Sequence, residues 1–334
     1  AGLIYVWPLA LLLMLVHPRY MCFSYAAGIL SLFSLILGFP NIDVAGLMAL
    51  VAVLRLVESL LIYFSGHINA VPVFMKDKDH GLVGGFSLQE FWPVPIILLV
   101  IMTAQIPVQG IVEMPDWWPL IRPPEYIINN ENTLFMMFPV VAALGYGDIA
   151  LSRTPKLRCK ASALNLSIFS ATLMLLAVLA SRYKLFAFLA ALFAPIGHEM
   201  LIILGKKSEK QRKPLFDAPL KGERVLDVIK GSPADRLSLG PGDIILQVNG
   251  KDIVQPGDLE EVLSDFPTFV WIKAKTPQGE IKNAEMKAYP DGVNTLGAIL
   301  VPRGENVPCI VMEEIDNFYF LKSFIKWLKK FKKK

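Results

Sequence analysis

Charge is what this sequence has least of. Asp, Glu, Lys and Arg make up 19% of its 334 residues while hydrophobic residues make up 54%, against about a quarter charged in an ordinary soluble chain. That shortage excludes a disordered chain and a charge-rich nucleic-acid binder, and argues against a wholly soluble protein. Cysteine is scarce as well. Cys22, Cys159 and Cys309 are scattered and form no CxxC pair, which excludes a disulfide framework and suits reduced or membrane-buried thiols. There is no Gly-rich phosphate loop and no serine matched with a histidine and an aspartate in a soluble stretch, so the usual nucleotide and acyl-transfer chemistries have no foothold. The formal net charge of +4 is modest, and much of its excess lies in the last residues.

What is present is apolar length. A helix rises about 1.5 Å per residue, so crossing a ~30 Å hydrocarbon core takes about 20 mostly apolar residues. Seven segments are expected as spans, some of them short: 3–16, 21–37, 42–64, 93–106, 133–150, 163–180 and 185–204. The first lacks a basic n-region and a small-residue cleavage site, and reads as a short or clipped span. Cations set the orientation. Arg153, Lys156, Arg158 and Lys160, and then Lys206, Lys207, Lys210, Arg212 and Lys213, place two segments in the cytoplasm. Glu113, Asp116, Glu125 and Glu131 against Arg122 place the loop between spans four and five outside. Seven spans leave Ala1 outside; an eighth, upstream, would bring it in. Val71 to Met75 and Leu82 to Ser87 flank a polar turn and read as a small hairpin. Trp117-Trp118 beside a span reads as part of an interfacial aromatic belt, or as a carbohydrate or partner site.

Ionisable residues inside the apolar segments are few. Arg55 and Glu58 lie three apart, on one helix face, where they can neutralise each other. An ion path would need more such groups on other helices. Gly197-His198-Glu199-Met200-Leu201-Ile202 begins like HExxH, but isoleucine stands where the second imidazole belongs, and zinc needs both imidazoles plus a third ligand. A structural, helix-positioning role is therefore expected for His198 and Glu199. Gly145-Tyr146-Gly147-Asp148 is only superficially a potassium-filter sequence, since a filter needs a re-entrant pore helix and four copies; it reads as a loop entry, with Asp148 near Arg153. No catalytic residue, metal site or cofactor is expected.

After Pro214 the pattern shifts to short strands. Ser232 caps and Pro233 opens a short helix, Gly240 and Gly242 permit a tight turn, 244–248 is a buried strand, and Asn249-Gly250 signals a type I′ hairpin. A helix within 256–266 and strands at 268–275 and 280–288 follow. The run GSPADRLSLGPGDIILQVNGKDI, residues 231–253, resembles the signature of a PDZ domain of the bacterial variety. That resemblance implies capture of an extended peptide as an added strand, with backbone amides receiving a carboxylate. It further implies that Leu296, Gly297, Ala298 and Ile299 line the groove, with Val262 and Leu263 from the helix opposite, although no aromatic follows the glycine of the loop. In the tail, Phe318, Leu321, Phe324, Ile325, Leu328 and Phe331 recur at helical spacing. Lys322, Lys326, Lys329 and Lys330 occupy other positions and Trp327 adds an anchor, which predicts a basic amphipathic helix on an anionic inner leaflet.

The layout as a whole, with GGFSLQEFWPVP (84–95), ALGYGDIALSRTP (143–155), APIGHEM (194–200) and a terminal PDZ domain, is similar to MinJ-type proteins of Gram-positive bacteria. The similarity implies a topological factor for division-site selection at the septum or pole, bridging a polar scaffold to the Min machinery. The expected fold class is multi-domain: a polytopic α-helical membrane bundle of about seven spans, a small α+β PDZ domain and a basic amphipathic helix. Its boundaries are 1–205 for the membrane domain, 206–214 for a basic linker, 215–304 for the PDZ domain and 305–334 for the tail. The expected function is a membrane-anchored adaptor that is not an enzyme, with protein partners, a lipid bilayer and no nucleic acid. The alternatives are a site-2-type intramembrane metalloprotease or its regulator, and a transporter with a regulatory PDZ domain resting on Arg55 and Glu58.

Overall fold

A computed structural model describes residues 2–77, 81–103, 115, 133–303 and 310–311. The amphipathic tail, with Lys322, Lys326, Trp327, Lys329 and Lys330, lies outside the described residues, as does Trp117-Trp118. Five helices belong to the apolar part: α1 (Leu3–Val16), α2 (Phe23–Leu37), α3 (Val44–Ser65), α4 (Pro155–Ala180) and α5 (Lys184–Lys210). Their ends follow local chemistry. The Asp43 carboxylate accepts from Gly46 N at 3.1 Å and starts α3, Pro155 opens α4, and α2 stops at Gly38, which adopts φ +72° as a left-handed C-terminal glycine does. Pro195 sits inside α5 and nests against α2, where a Cβ on Gly28 would fall 2.5 Å from Pro195 Cδ. The absent side chain lets the two helices approach.

Seven spans were expected, and among the described residues only α3, α4 and α5 are long and apolar enough to cross a membrane. Helices α1 and α2 have 14 and 15 residues, about 21–23 Å at 1.5 Å per residue. The expected spans at 93–106 and 133–150 are not helical as far as they are described. They form a ribbon of β2 (Gly81–Thr103) and β3 (Thr133–Ala150), antiparallel from Phe86↔Ala150 to Thr103↔Thr133. The physical reason lies in proline and β-branched content. Pro93↔Ala143, Pro95↔Val141 and Ile97↔Pro139 are alternate rungs, hence one class of pair, and a proline fits only the class whose N–H would point away from the ladder. Three prolines thus cost this ribbon no rungs, whereas Pro139 would break the interior of a helix over 133–150.

The expected hairpin is present: β1 (Val71–Asp77) pairs with the start of β2, from Val71↔Ser87 to Asp77↔Gly81. The same sheet takes in β4 (Phe216–Asp217), paired on β2, and β11 (Ile310–Val311), parallel to β1. Both segments flank the second sheet in sequence. That sheet runs β10-β5-β6-β8-β9, from β5 (Glu223–Val228), β6 (Ile244–Val248), β8 (Phe269–Lys275), β9 (Ile281–Lys287) and β10 (Ala298–Leu300), with β7 (Lys251–Asp252) on β6. Two short helices, α6 (Pro233–Arg236) and α7 (Asp258–Ser264), cover its core of Val225, Leu237, Ile245, Val248, Leu259 and Ile272. Turn chemistry is as expected: Ser232 Oγ accepts from Asp235 N, and Asn249 and Gly250 both have positive φ. The helix α5 continues to Lys210, so half of the stretch read as linker is helical.

Candidate peptide-binding groove and buried ion pairs

Leu296, Gly297, Ala298 and Ile299 form the loop and strand at one edge of the second sheet, where β10 pairs antiparallel with β5. Among the described residues β10 has no partner on its other side. Gly297 O accepts from Ile229 N at 2.9 Å, and Val301 N donates to Arg224 O at 2.8 Å. The residues between alternate, so the amides of Ala298 and Leu300 point to the free edge. Side chains alternate too. Ala298 and Leu300 join Val262 around the core of this sheet, while Ile299 packs on the other side, in the cluster that holds the helices. Leu296 and Leu263 are buried core residues. The structure thus brings Ala298 and Val262 to one apolar surface with Leu300, and sets Ile299 behind it. Gly297 has φ +66°, and a Cβ there would meet Ser232 Cβ at 2.5 Å; only glycine fits this corner.

Helix α7 starts with Asp258, whose carboxylate accepts from Gln255 N at 2.7 Å and Val254 N at 2.8 Å. Those two N–H groups hold its carboxyl below the usual carboxylate range. Glu223 is the opposite case. It is buried at the start of β5, Oε2 has no hydrogen-bond partner among the described residues, and burial, reinforced by the nearby Glu260 charge, pushes its carboxyl up to about 7.

The back of the groove sheet is seated on the first sheet. A Cβ on Gly84 of β2 would lie 2.9 Å from Leu226 Cδ1 and 3.1 Å from both Phe216 Cβ and Val301 Cγ2. Arg224 binds the connecting segment three ways: Nε to Asp217 O at 2.7 Å, NH1 to Leu215 O at 3.1 Å, and an ion pair to Asp217 Oδ1 at 2.9 Å. Leu215 N donates to Leu151 O at 2.9 Å.

Two ion clusters tie the helices. Arg55 NH1 donates to Glu58 Oε2 at 2.5 Å, as the spacing predicted, and Arg55 Nε to Ser24 Oγ at 3.0 Å; its other nitrogen contacts Cys22 Sγ. His198 and Glu199 do not build a metal site, and no group of three or more metal-ligating side chains exists among the described residues. Glu199 instead accepts from Arg19 NH2 at 2.8 Å and from the Tyr25 hydroxyl at 2.5 Å, and the His198 ring lies edge-on to Tyr25 with centroids 5.3 Å apart. Sequence reasoning missed Arg19 and Tyr25, which lie far along the chain from Glu199. The second cluster sits where β3 meets α4 and α5. Asp148 binds Arg158, not Arg153, through two contacts of 2.9 Å. Glu209 Oε2 accepts from Leu151 N and Ser152 N at 3.1 and 2.9 Å, and its Oε1 faces Arg158 at 3.4 Å. Arg158, read as a loop cation, is a buried structural residue.

Comparison with known proteins agrees with this division. A family model described as PDZ domain matches residues 224–273. The cell division topological determinant MinJ of Bacillus subtilis is 23% identical over 248 residues, covering 74% of this chain and 59% of that protein. This chain therefore spans about six-tenths of that relative's length. The probable cell division topological determinant MinJ of Lacticaseibacillus paracasei is 27% identical over 82 residues, 25% of this chain and 22% of that one. A putative protease Do-like 14 of Arabidopsis thaliana matches only 46 residues at 41% identity, 14% of this chain and 11% of the other. A PDZ domain is an interaction module, and the relative matched over most of this chain is named as a determinant of division topology rather than as an enzyme. The chain is thus MinJ-like over three quarters of its length and contains a PDZ domain.

Proposed function

We propose that this chain is a membrane-anchored adaptor in bacterial division-site selection, holding a partner peptide by strand addition along β10. The observation that carries the reading is the free edge of β10, with outward amides at Ala298 and Leu300 above the apolar surface of Val262. Backbone pairing supplies affinity in this mode, and pockets for alternate side chains supply selectivity. The apolar helices supply the anchor in the plasma membrane, with the PDZ domain and the basic tail on the cytoplasmic side beside the anionic leaflet. Similarity to MinJ, named as a cell division topological determinant, supports division proteins as partners, and bridging a polar scaffold to the Min machinery is the role this proposal gives the chain. The candidate groove residues are Leu296, Gly297, Ala298, Ile299, Val262 and Leu263, with Ala298 and Val262 facing the peptide and Ile299 supporting the strand from behind.

The test is crosslinked recovery of the intact chain from membranes, alone and as Val262→Asp and Ala298→Pro. The first places a carboxylate on the apolar surface; the second removes an outward amide. Both are expected to lose one division protein while β6, β8 and β9 keep their hydrogen-exchange protection. Recovery of the same partners by both variants would move recognition to the helices or loops and overturn the groove assignment.

A further inference from the structure

The inner face of the β2–β3 ribbon does not close fully on the helices beneath it. Between them lies a cavity of about 320 Å³ that opens to the surface, lined by fourteen residues from α1, α2, α3, β2 and β3. Val6, Ala27 and Val51 form part of its floor, Ile96 and Val140 part of its roof, and Trp7 meets Phe23 edge-on inside it at 5.4 Å. None of the fourteen is charged, and the Trp7 indole carries the one side-chain N–H.

Water needs two to four polar partners to occupy a cavity, and cavities of ~150 Å³ lined by Leu, Ile and Phe stay dry and accept small apolar molecules. This one is about twice that size, too large for its walls to collapse across. Left empty, it would forfeit the dispersion contacts of every side chain around it. The surroundings name the occupant. Ile4, Leu11, Leu12 and Leu15 on α1, and Phe33 and Ile36 on α2, turn outward and are at least half exposed, so the medium these helices face is itself hydrocarbon on the anchored reading. Trp7 of the lining, on the same helix α1, is itself 47% exposed and carries the apolar wall of the cavity out to the surface.

We propose that this cavity holds one acyl chain of a membrane phospholipid, which completes the packing between the ribbon and α1–α3. The inference rests on the membrane anchoring proposed above. Retention of the ribbon on the helices is then lipid-dependent, a property no part of the groove requires.

Native mass spectrometry of the full chain, extracted in mild detergent, tests it with Ala27→Leu and Val51→Phe as filling variants and Leu12→Phe as a control on the outer face. The parent and Leu12→Phe are expected to retain one phospholipid per chain, and the filling variants none. A parent that carries only detergent, or filling variants that retain lipid equally, overturns the proposal. If the filling variants do not fold, dibrominated-acyl phospholipid decides: the parent should lose more fluorescence than Trp7→Phe, and equal quenching refutes the assignment. A chain that leaves the membrane in carbonate without detergent would instead defeat the anchored reading itself, so the two failures are separable.

Discussion

Replacing Gly84 by valine should unseat the PDZ domain from the first sheet. A single methyl at this position already lies 2.9 Å from Leu226 Cδ1 and 3.1 Å from Phe216 and Val301. All three neighbours are buried, with Leu226 and Phe216 at 0% exposure, so they have no free space to retreat into. Overpacking of a filled core costs about 1–3 kcal/mol, and two more carbons than the first methyl place valine toward the upper end. The strain falls on the β4 side of the joint, where two rungs, Val83↔Asp217 and Gly84↔Phe216, hold β4 to β2, the pairing of β11 with β1 holding the other flank. Relief by separation of the sheets is therefore easier than relief by unfolding either one. Hydrogen exchange in the solubilised full chain should show β4 and its partners in β2 losing protection by roughly 5- to 150-fold, the equivalent of that energy. Protection in β6, β8 and β9 should not change. Gly147→Ala is the control, because a Cβ there meets nothing within 4 Å. Unchanged exchange at β4 in Gly84→Val would show that the joint yields, and the seated arrangement would lose its basis.

Three further outcomes follow from individual side chains. Glu223 binds its proton more tightly folded, at about 7, than unfolded, near 4.5; its contribution is present in full below about 4.5 and lost as pH rises through about 7. Exchange protection of β5 should fall between pH 5.5 and 8, and Glu223→Gln should reduce that fall; an equal pH response in both chains would refute the assignment. Glu199→Ala takes the carboxylate from the Tyr25 hydroxyl and from Arg19, which keeps its contact with the Tyr20 hydroxyl, and should cost about 2–4 kcal/mol, read as a lower thermal midpoint in detergent, whereas an unchanged midpoint would mean water replaces the carboxylate. Glu209→Gln keeps an acceptor for Leu151 N and Ser152 N and should be milder than Glu209→Ala, which orphans both amides at about 1–3 kcal/mol each; equal effects would place the importance in its charge instead.

Local chemistry was readable from the chain. Ser232-Pro233, Gly242 and Asn249-Gly250 each set backbone conformation within a turn of themselves, which is why the PDZ elements fall where they were expected. Arg55 and Glu58 were paired by the same logic, being one helical turn apart. Candidate groove residues were legible only as a set. Which of them face one surface depends on strand parity in β10, and that parity puts Ile299 behind Ala298 and Leu300.

The ends of the ion pairs were not legible in the same way. Glu199 suggested half of a metal motif because its true partners, Arg19 and Tyr25, lie 180 and 174 positions away. Nothing near it in sequence announces them. Arg158 was assigned to a loop by charge alone, yet its guanidinium is buried between Asp148 and Glu209.

By itself the sequence determined an apolar chain that needs an apolar medium or a large core, and a PDZ domain with its turns in place, because those follow from composition and from contacts a few residues apart. Prolines weighed against helix at 93–103 and 133–150, but tertiary structure decided the pairing: a continuous apolar run has no period to separate a buried helix from a strand, and the ladder needed two distant segments to meet. It also decided that the PDZ domain is joined to that ribbon's sheet on both flanks, since strands as short as β4 and β11 exist only by virtue of the neighbour they pair with.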